Sequence, residues 1–133
     1  SNDLLADLAI ARSEAVKFGR RTEVRSAAGG WTDGWVVGTD LDADGNITGT
    51  EIIKEHGAAP EGFTIEGGDT GGTAATEVAF GITGQVVAPG GTNAIEFAIC
   101  RPDGDAAKSR GVTVARSGRA STQKASVNTG IQC

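Results

Sequence analysis

DLLADLAIARSEAVKFG, residues 3–19, is the stretch of sequence that determines how this chain begins its fold. Its apolar side chains recur at helical spacing and would share one face: Leu4, Leu8, Ala11, Ala15 and Phe18. This spacing predicts an amphipathic α-helix over residues 1–18. Asn2 suits the N-terminal cap of that helix, and Gly19 suits the position just past its end.

The rest of the chain predicts short antiparallel strands, because β-branched runs alternate with Gly, Asp and Pro. The predicted strands are residues 22–26, 34–39, 50–54, 62–66, 76–80, 84–88, 95–100, 111–116 and 119–124. Glycine-containing turns predict hairpins at 80–86 and 114–120, and residues 67–76 are expected to form a flexible loop. The fold class is therefore α+β, with an N-terminal helix packed on antiparallel sheets in one domain, residues 1–133.

The composition excludes most enzyme classes. The 133 residues carry a net charge of -5, 21 glycines and one histidine, and no zinc-ligand spacing or phosphate-binding glycine motif occurs. The histidine, His56, lies in a charged turn-like context and is expected to be a solvated loop residue. Trp31 and Trp35 lie four residues apart, would share one face of a strand, and are expected to pack beneath the helix. We therefore expect a binding protein without catalysis.

The two cysteines indicate the redox compartment. Cys133 is the last residue, and a disulfide to Cys100 would tether the C-terminus. Such a bond stabilises by about 4 kcal/mol in the chain-entropy model and implies an oxidising compartment such as a periplasm. The alternative is a cytosolic protein with two free thiols.

Residues 40–51 match the calcium-loop pattern D-x-[DN]-x-[DN]-G-x₅-E. The candidate ligands are Asp40, Asp42, Asp44, Asn46 and Glu51. Oxygen ligands on one turn suit a hard cation such as Ca²⁺. The flanking segments read as strands, however, so a solvated Asp/Gly hairpin turn is the alternative, and no other cofactor is predicted.

The C-terminal segment is basic although the chain as a whole is acidic. From residue 101 onward, the chain contains six Lys or Arg residues and only two Asp residues. Such a local excess could contact phosphates, and the candidate DNA contacts are Arg110, Arg116, Arg119 and Lys124. The alternative is a solvated edge or a contact for an acidic neighbouring subunit.

Six segments, taken together and in order, resemble the GspH/FimT/FimU family of minor pilins and type II secretion pseudopilins. They are ARSEAVK (11–17), GWTDGWVV (30–37), DLDADG (40–45) followed by EII (51–53), FGITG (80–84), IEFAIC (95–100) and VTVARSGR (112–119). The resemblance spans about residues 8–121. FimT-type members implicated in DNA uptake carry a Gly-Arg-x-Arg motif, but here Gly118-Arg119-Ala120-Ser121 lacks the second arginine.

The resemblance implies a type IV pilin-like head, with residues 1–18 as the second half of the pilin helix and 22–133 as the β-rich part. Family members are anchored in the inner membrane of Gram-negative bacteria by a hydrophobic helix, so we expect this chain to be a periplasmic head without that helix. The expected partners are other minor pilins or pseudopilins and the major pilin, and the residues Leu4, Leu8, Ala11, Ala15 and Phe18 are assigned to subunit packing.

The expected function is priming or capping of a type IV pilus or a secretion pseudopilus, and the predicted cystine favours the pilus side. The alternatives are DNA binding for natural transformation and a calcium-stabilised adhesive head at a pilus tip.

Overall fold

The N-terminal helix forms as predicted. The computed structural model of the chain describes residues 2–39, 41, 47, 49–103 and 109–124. Helix α1 covers Asn2–Phe18, and Gly19 follows it with a left-handed φ of 61°. Arg20 N donates to the carbonyl of Ala15 at 3.2 Å, which closes the last turn in the manner expected of a glycine-terminated helix.

Within the described residues, nine strands follow the helix, and all neighbouring pairs are antiparallel. They are β1 (Thr22–Ala27), β2 (Gly30–Gly38), β3 (Ile52–His56), β4 (Thr64–Asp69), β5 (Glu77–Phe80), β6 (Val86–Ala88), β7 (Ile95–Cys100), β8 (Arg110–Val114) and β9 (Ala120–Lys124). A short 3₁₀ helix, Gly49–Glu51, precedes β3. The first sheet has the order β3-β2-β1-β5-β6 and the second the order β4-β7-β8-β9. The predicted α+β class is confirmed.

The core lies between α1 and the two sheets. Helix α1 contacts β1, β2 and β5 of the first sheet and β9 of the second. Trp31 packs edge-on against Phe97 with ring centroids 4.8 Å apart, which joins the two sheets across the core. Gly67 makes room for this pair, since a Cβ there would lie 2.7 Å from the Phe97 ring and 2.8 Å from Trp31 Nε1. The prediction that Trp31 and Trp35 are core residues is confirmed.

Four of the five apolar helix residues are buried within their own chain. Leu4, Leu8, Ala11 and Ala15 are at most 1% exposed and belong to the core. Phe18 is 53% exposed, because it lies in the last turn and borders an open depression beside Leu41 and Ile53. The four buried residues therefore pack against their own sheets instead of a neighbouring subunit, and the outward surface of α1 consists of other residues.

Two local expectations are corrected. His56 is the last residue of β3 and stacks on the Trp35 ring at 4.2 Å between centroids, so it is not a solvated loop residue. Residues 67–69, expected to begin a flexible loop, are the last residues of β4 and pair with β7. In the part of the chain that the structure describes, no helix combines the length and apolar character needed to cross a membrane.

Candidate functional site

Arg12 of α1 connects the helix to two hairpin turns. Its Nε donates to the carbonyl of Gly84 at 3.0 Å, in the turn between β5 and β6. Its Nη2 lies 3.4 Å from the carbonyl of Ser117, in the turn between β8 and β9. We call Arg12, Gly84, Ser117 and Gly118 the arginine junction. The junction brings together three of the six sequence segments. Gly84 lies 72 positions and Ser117 lies 105 positions from Arg12 along the chain.

Glycine is required at the centre of this junction. Gly118 is buried, has a φ of 94°, and a Cβ there would lie only 1.8 Å from the carbonyl oxygen of Gly84. The two turns also share a backbone hydrogen bond, from Val86 N to the carbonyl of Arg116 at 3.0 Å. Because the first turn belongs to one sheet and the second turn to the other, the junction holds both sheets and α1 together.

An open groove of about 920 Å³ runs beside the junction, between α1 and the start of β9. We call it the basic groove. Its apolar part includes Leu5, Ala9 and Val16, and its cationic side chains are Arg12, Lys17 and Arg119. Val16 is 53% exposed, and Ala9 and the three cationic residues are exposed as well. This groove combines accessible apolar surface with positive charge.

The predicted DNA contacts do not form one patch. Arg116 and Arg119 belong to the β8–β9 turn, whereas Arg110 pairs with Lys124 at the opposite end of that hairpin. Five-residue strands separate the two ends by about 14 Å. The predicted DNA-contact set is therefore divided into two pairs.

Arg116 has a structural role within the chain. Its guanidinium donates to three backbone carbonyls, those of Asn93 at 2.7 Å, Gly90 at 3.1 Å and Pro89. These bonds hold the 89–93 loop against the β8–β9 turn. Since most of its donors are engaged, Arg116 is poorly placed to bind a phosphate, and DNA binding stays a prediction that rests on the other three residues.

A polar cluster attaches the first two turns of α1 to β2 and β3. The buried carboxylate of Asp7 accepts from Trp35 Nε1 at 2.8 Å and from Lys54 Nζ at 2.7 Å. His56 Nε2 lies 3.0 Å from Asp3 Oδ2. The hydrogen bond and charge of His56 lower the pKa of Asp3, and the Asp7 carboxylate raises the pKa of Lys54. The cluster positions the helix and shows no catalytic arrangement.

A second ionic cluster joins β1 and β5. Arg25 donates to Glu23 at 2.7 Å and to Glu77 at 3.0 Å, and Arg21 lies within 3.8 Å of both carboxylates. Burial raises the pKa of Glu23 even though Arg25 stabilises its charged form. Basic residues that follow the helix are therefore partly neutralised by acids of the first sheet.

The predicted calcium site lies almost wholly outside the described residues, since Asp40, Asp42, Asp44 and Asn46 are not among them. Glu51 is described and is only 7% exposed, and its carboxylate accepts from Leu41 N at 2.5 Å. No group of three or more His, Cys, Asp or Glu that could hold a metal occurs within the described ranges. The calcium site stays a prediction.

Cys133 also lies outside these ranges, so the disulfide to Cys100 stays a prediction as well.

Comparison with known proteins identifies the family. A family model described as Type II transport protein GspH matches residues 1–118. The chain belongs to the GspH family. A search of curated protein sequences finds no match.

Solved structures of a minor pilin and a minor pseudopilin support the fold. The type IV minor pilin FimU of Pseudomonas aeruginosa is 26% identical, with a TM-score of 0.75 over 94% of this chain and 86% of that chain. A second crystal form of FimU is 25% identical, with a TM-score of 0.74 over 94% and 90% of the two chains. The minor pseudopilin EpsH from the Type 2 Secretion System of Vibrio cholerae is 16% identical, with a TM-score of 0.65 over 92% of each chain, and supports the fold alone.

Within this GspH-family chain, the sequence reasoning missed the role of Arg12. Arg12 lies in the segment ARSEAVK (11–17) of the predicted helix, where its charge suggests a solvated position. Its carbonyl partners are far away along the chain, and a backbone carbonyl leaves no mark on the sequence. The one available signal was the pair of glycine-containing hairpins predicted at 80–86 and 114–120.

Proposed function

We propose that this chain is the head of a minor pilin that helps to prime or cap a type IV pilus by binding other minor subunits. The observation that carries this proposal is the similarity to FimU, which is described as a type IV minor pilin. The similarity extends over nearly the whole chain and is greater in identity and in TM-score than the similarity to EpsH, a pseudopilin. That difference favours the pilus over the secretion system.

The outward surface of α1 suits a subunit that works by contact. Its buried face covers the sheets, and the opposite side presents Ala6, Ala9, Ser13 and Val16 to solvent. Small side chains allow another backbone to approach closely, and an exposed Val supplies apolar area. We infer partners among the other minor pilins and the major pilin, and a periplasmic position for the head on an inner-membrane anchor.

Deletion of the gene in its own bacterium tests this function. We expect surface pili, measured by shearing and immunoblotting of the major pilin, to fall at least several-fold and to return with the wild-type gene. Secretion of type II substrates, measured in the same strains, should be unchanged. Loss of secretion with intact pili would contradict the proposal and would identify a secretion pseudopilin instead.

A further inference from the structure

We propose that the basic groove receives an acidic, amphipathic helix of a neighbouring pilin subunit. The proposal deepens the proposed function and rests on it, because it names the surface and the chemistry by which this head would bind another subunit.

The shape of the groove favours a helix. One wall is the α1 stripe formed by Leu5, Ala9, Ser13 and Val16, which recurs at helical spacing over about 18 Å. Ala9 and Ser13 are small, so a helix lying along this stripe could reach the interaxial distance of about 8–10 Å that is usual for packed helices. The opposite wall contains Gly118 and Ala120, which also leave room.

The charge of the groove defines the chemistry of its partner. Among the described residues, no carboxylate lies within salt-bridge distance of Arg12, Lys17 or Arg119. Of the other cations whose side chains are described, four have acidic partners, Arg21, Arg25, Lys54 and Arg101, and three do not, Arg20, Arg110 and Arg116. The groove differs because it places three such cations beside exposed apolar surface. The hydrogen bonds of Arg12 go to neutral carbonyls, so no described carboxylate compensates its charge. An apolar stripe flanked by Asp or Glu would complement this groove.

The far wall of the groove is rigid. The close approach of Gly118 to Gly84, the Val86–Arg116 backbone bond and the Arg12 bridge hold the β8–β9 turn against α1. A preformed groove loses little conformational entropy when a partner binds. The arginine junction therefore acts as the support of the docking surface.

One other occupant fits less well. DNA would be attracted by the cations, but it would leave the exposed apolar side chains of α1 without a partner.

A charge-reversal experiment tests the groove. The full-length chain is co-expressed with the other minor pilins of its bacterium, extracted in detergent, and the dissociation constant of each pairwise complex is measured. We expect the Lys17→Glu/Arg119→Glu variant to bind one of these subunits at least tenfold more weakly. The Arg20→Glu/Arg110→Glu variant is the matched control, because it changes the net charge equally at exposed positions outside the groove.

Charge exchange then identifies the contact. Replacing a surface Glu or Asp on the helix of the affected partner by Lys should restore binding to Lys17→Glu/Arg119→Glu and weaken binding to the wild type. A purely structural effect of the variant would not be rescued in this way. A photo-cross-linker placed at Ala9 should also react with that helix, whereas one at the exposed Glu61 should not.

The outcomes separate the two proposals. If no minor pilin binds the wild-type chain, the proposed function fails together with the groove. If a pilin binds and both double variants bind it equally well, the groove proposal is overturned and the proposed function stands. The groove proposal would also be overturned if the Lys17→Glu/Arg119→Glu variant alone lost self-association or binding to labelled duplex DNA while its binding to pilins was unchanged. Loss of self-association would indicate a second copy of the chain as occupant, and loss of duplex binding would indicate nucleic acid.

Discussion

Substitution of Gly118 by alanine tests the arginine junction, on which the shape of the groove depends. Gly118 has a φ of 94°, and the added methyl group would lie 1.8 Å from the carbonyl oxygen of Gly84. That oxygen is backbone, so the overlap can be relieved only by moving one turn away from the other. The movement would separate the two sheets at the point where Arg12 joins them.

The expected loss of stability has two components. A non-glycine residue at positive φ costs about 1–2 kcal/mol. Separating the turns would also break the Arg12–Gly84 and Val86–Arg116 hydrogen bonds, each 3.0 Å long and each contributing about 1 kcal/mol. We therefore expect Gly118→Ala to lower the free energy of unfolding by about 3–4 kcal/mol.

Gly72 provides a matched control for the backbone component. It has a φ of 88°, and nothing lies within 4 Å of the position that a Cβ would occupy. Gly72→Ala should therefore cost only the backbone strain of about 1–2 kcal/mol. Urea denaturation of both variants, followed by tryptophan fluorescence, measures the difference. Equal losses in the two variants would show that the close approach of the turns contributes nothing and would refute this account of the junction.

Three further outcomes are expected. Trp35→Phe removes a hydrogen bond to the buried carboxylate of Asp7 and should cost about 2 kcal/mol in urea denaturation; a loss below about 0.5 kcal/mol would contradict the role of that bond. Because burial raises the pKa of Glu23, folding stabilises its protonated form relative to the unfolded chain, and this contribution declines as the pH rises from the ordinary pKa of a glutamate through the raised pKa of the folded state. The stability of the wild type relative to Glu23→Gln should therefore fall as the pH rises through that interval, and a constant or rising difference would argue against it. Reduction of the predicted Cys100–Cys133 disulfide should lower the free energy of unfolding by about 4 kcal/mol, whereas free thiols in the unreduced folded protein would exclude the bond.

The positions of the strands were predictable because they depend on local composition. Residues 95–100 were predicted as a strand and form β7 with the same bounds. The hairpin at 114–120 was also predicted, since its glycine is suited to a tight turn. The part of the site that could be predicted was therefore the presence of its turns.

The contacts of single polar residues were not predictable. His56 stands in a charged sequence context, and only the fold places it on the Trp35 ring and beside Asp3. Arg116 was a candidate phosphate ligand from its charge alone, and the structure directs its donors to three carbonyls. A charge in a sequence carries no information about which backbone oxygen will lie next to it.

The sequence by itself determined the helix and the antiparallel strands, because periodicity, β-branched runs and turn residues act over a few neighbouring positions. The family was indicated by the resemblance of six ordered segments. Only the tertiary structure decided that Arg12 supports two turns, and that the outward side of α1, with Arg119, forms a basic groove. These features arise where segments up to 105 positions apart approach each other. Such approaches depend on how the sheets pack on the helix, which no short stretch of sequence contains.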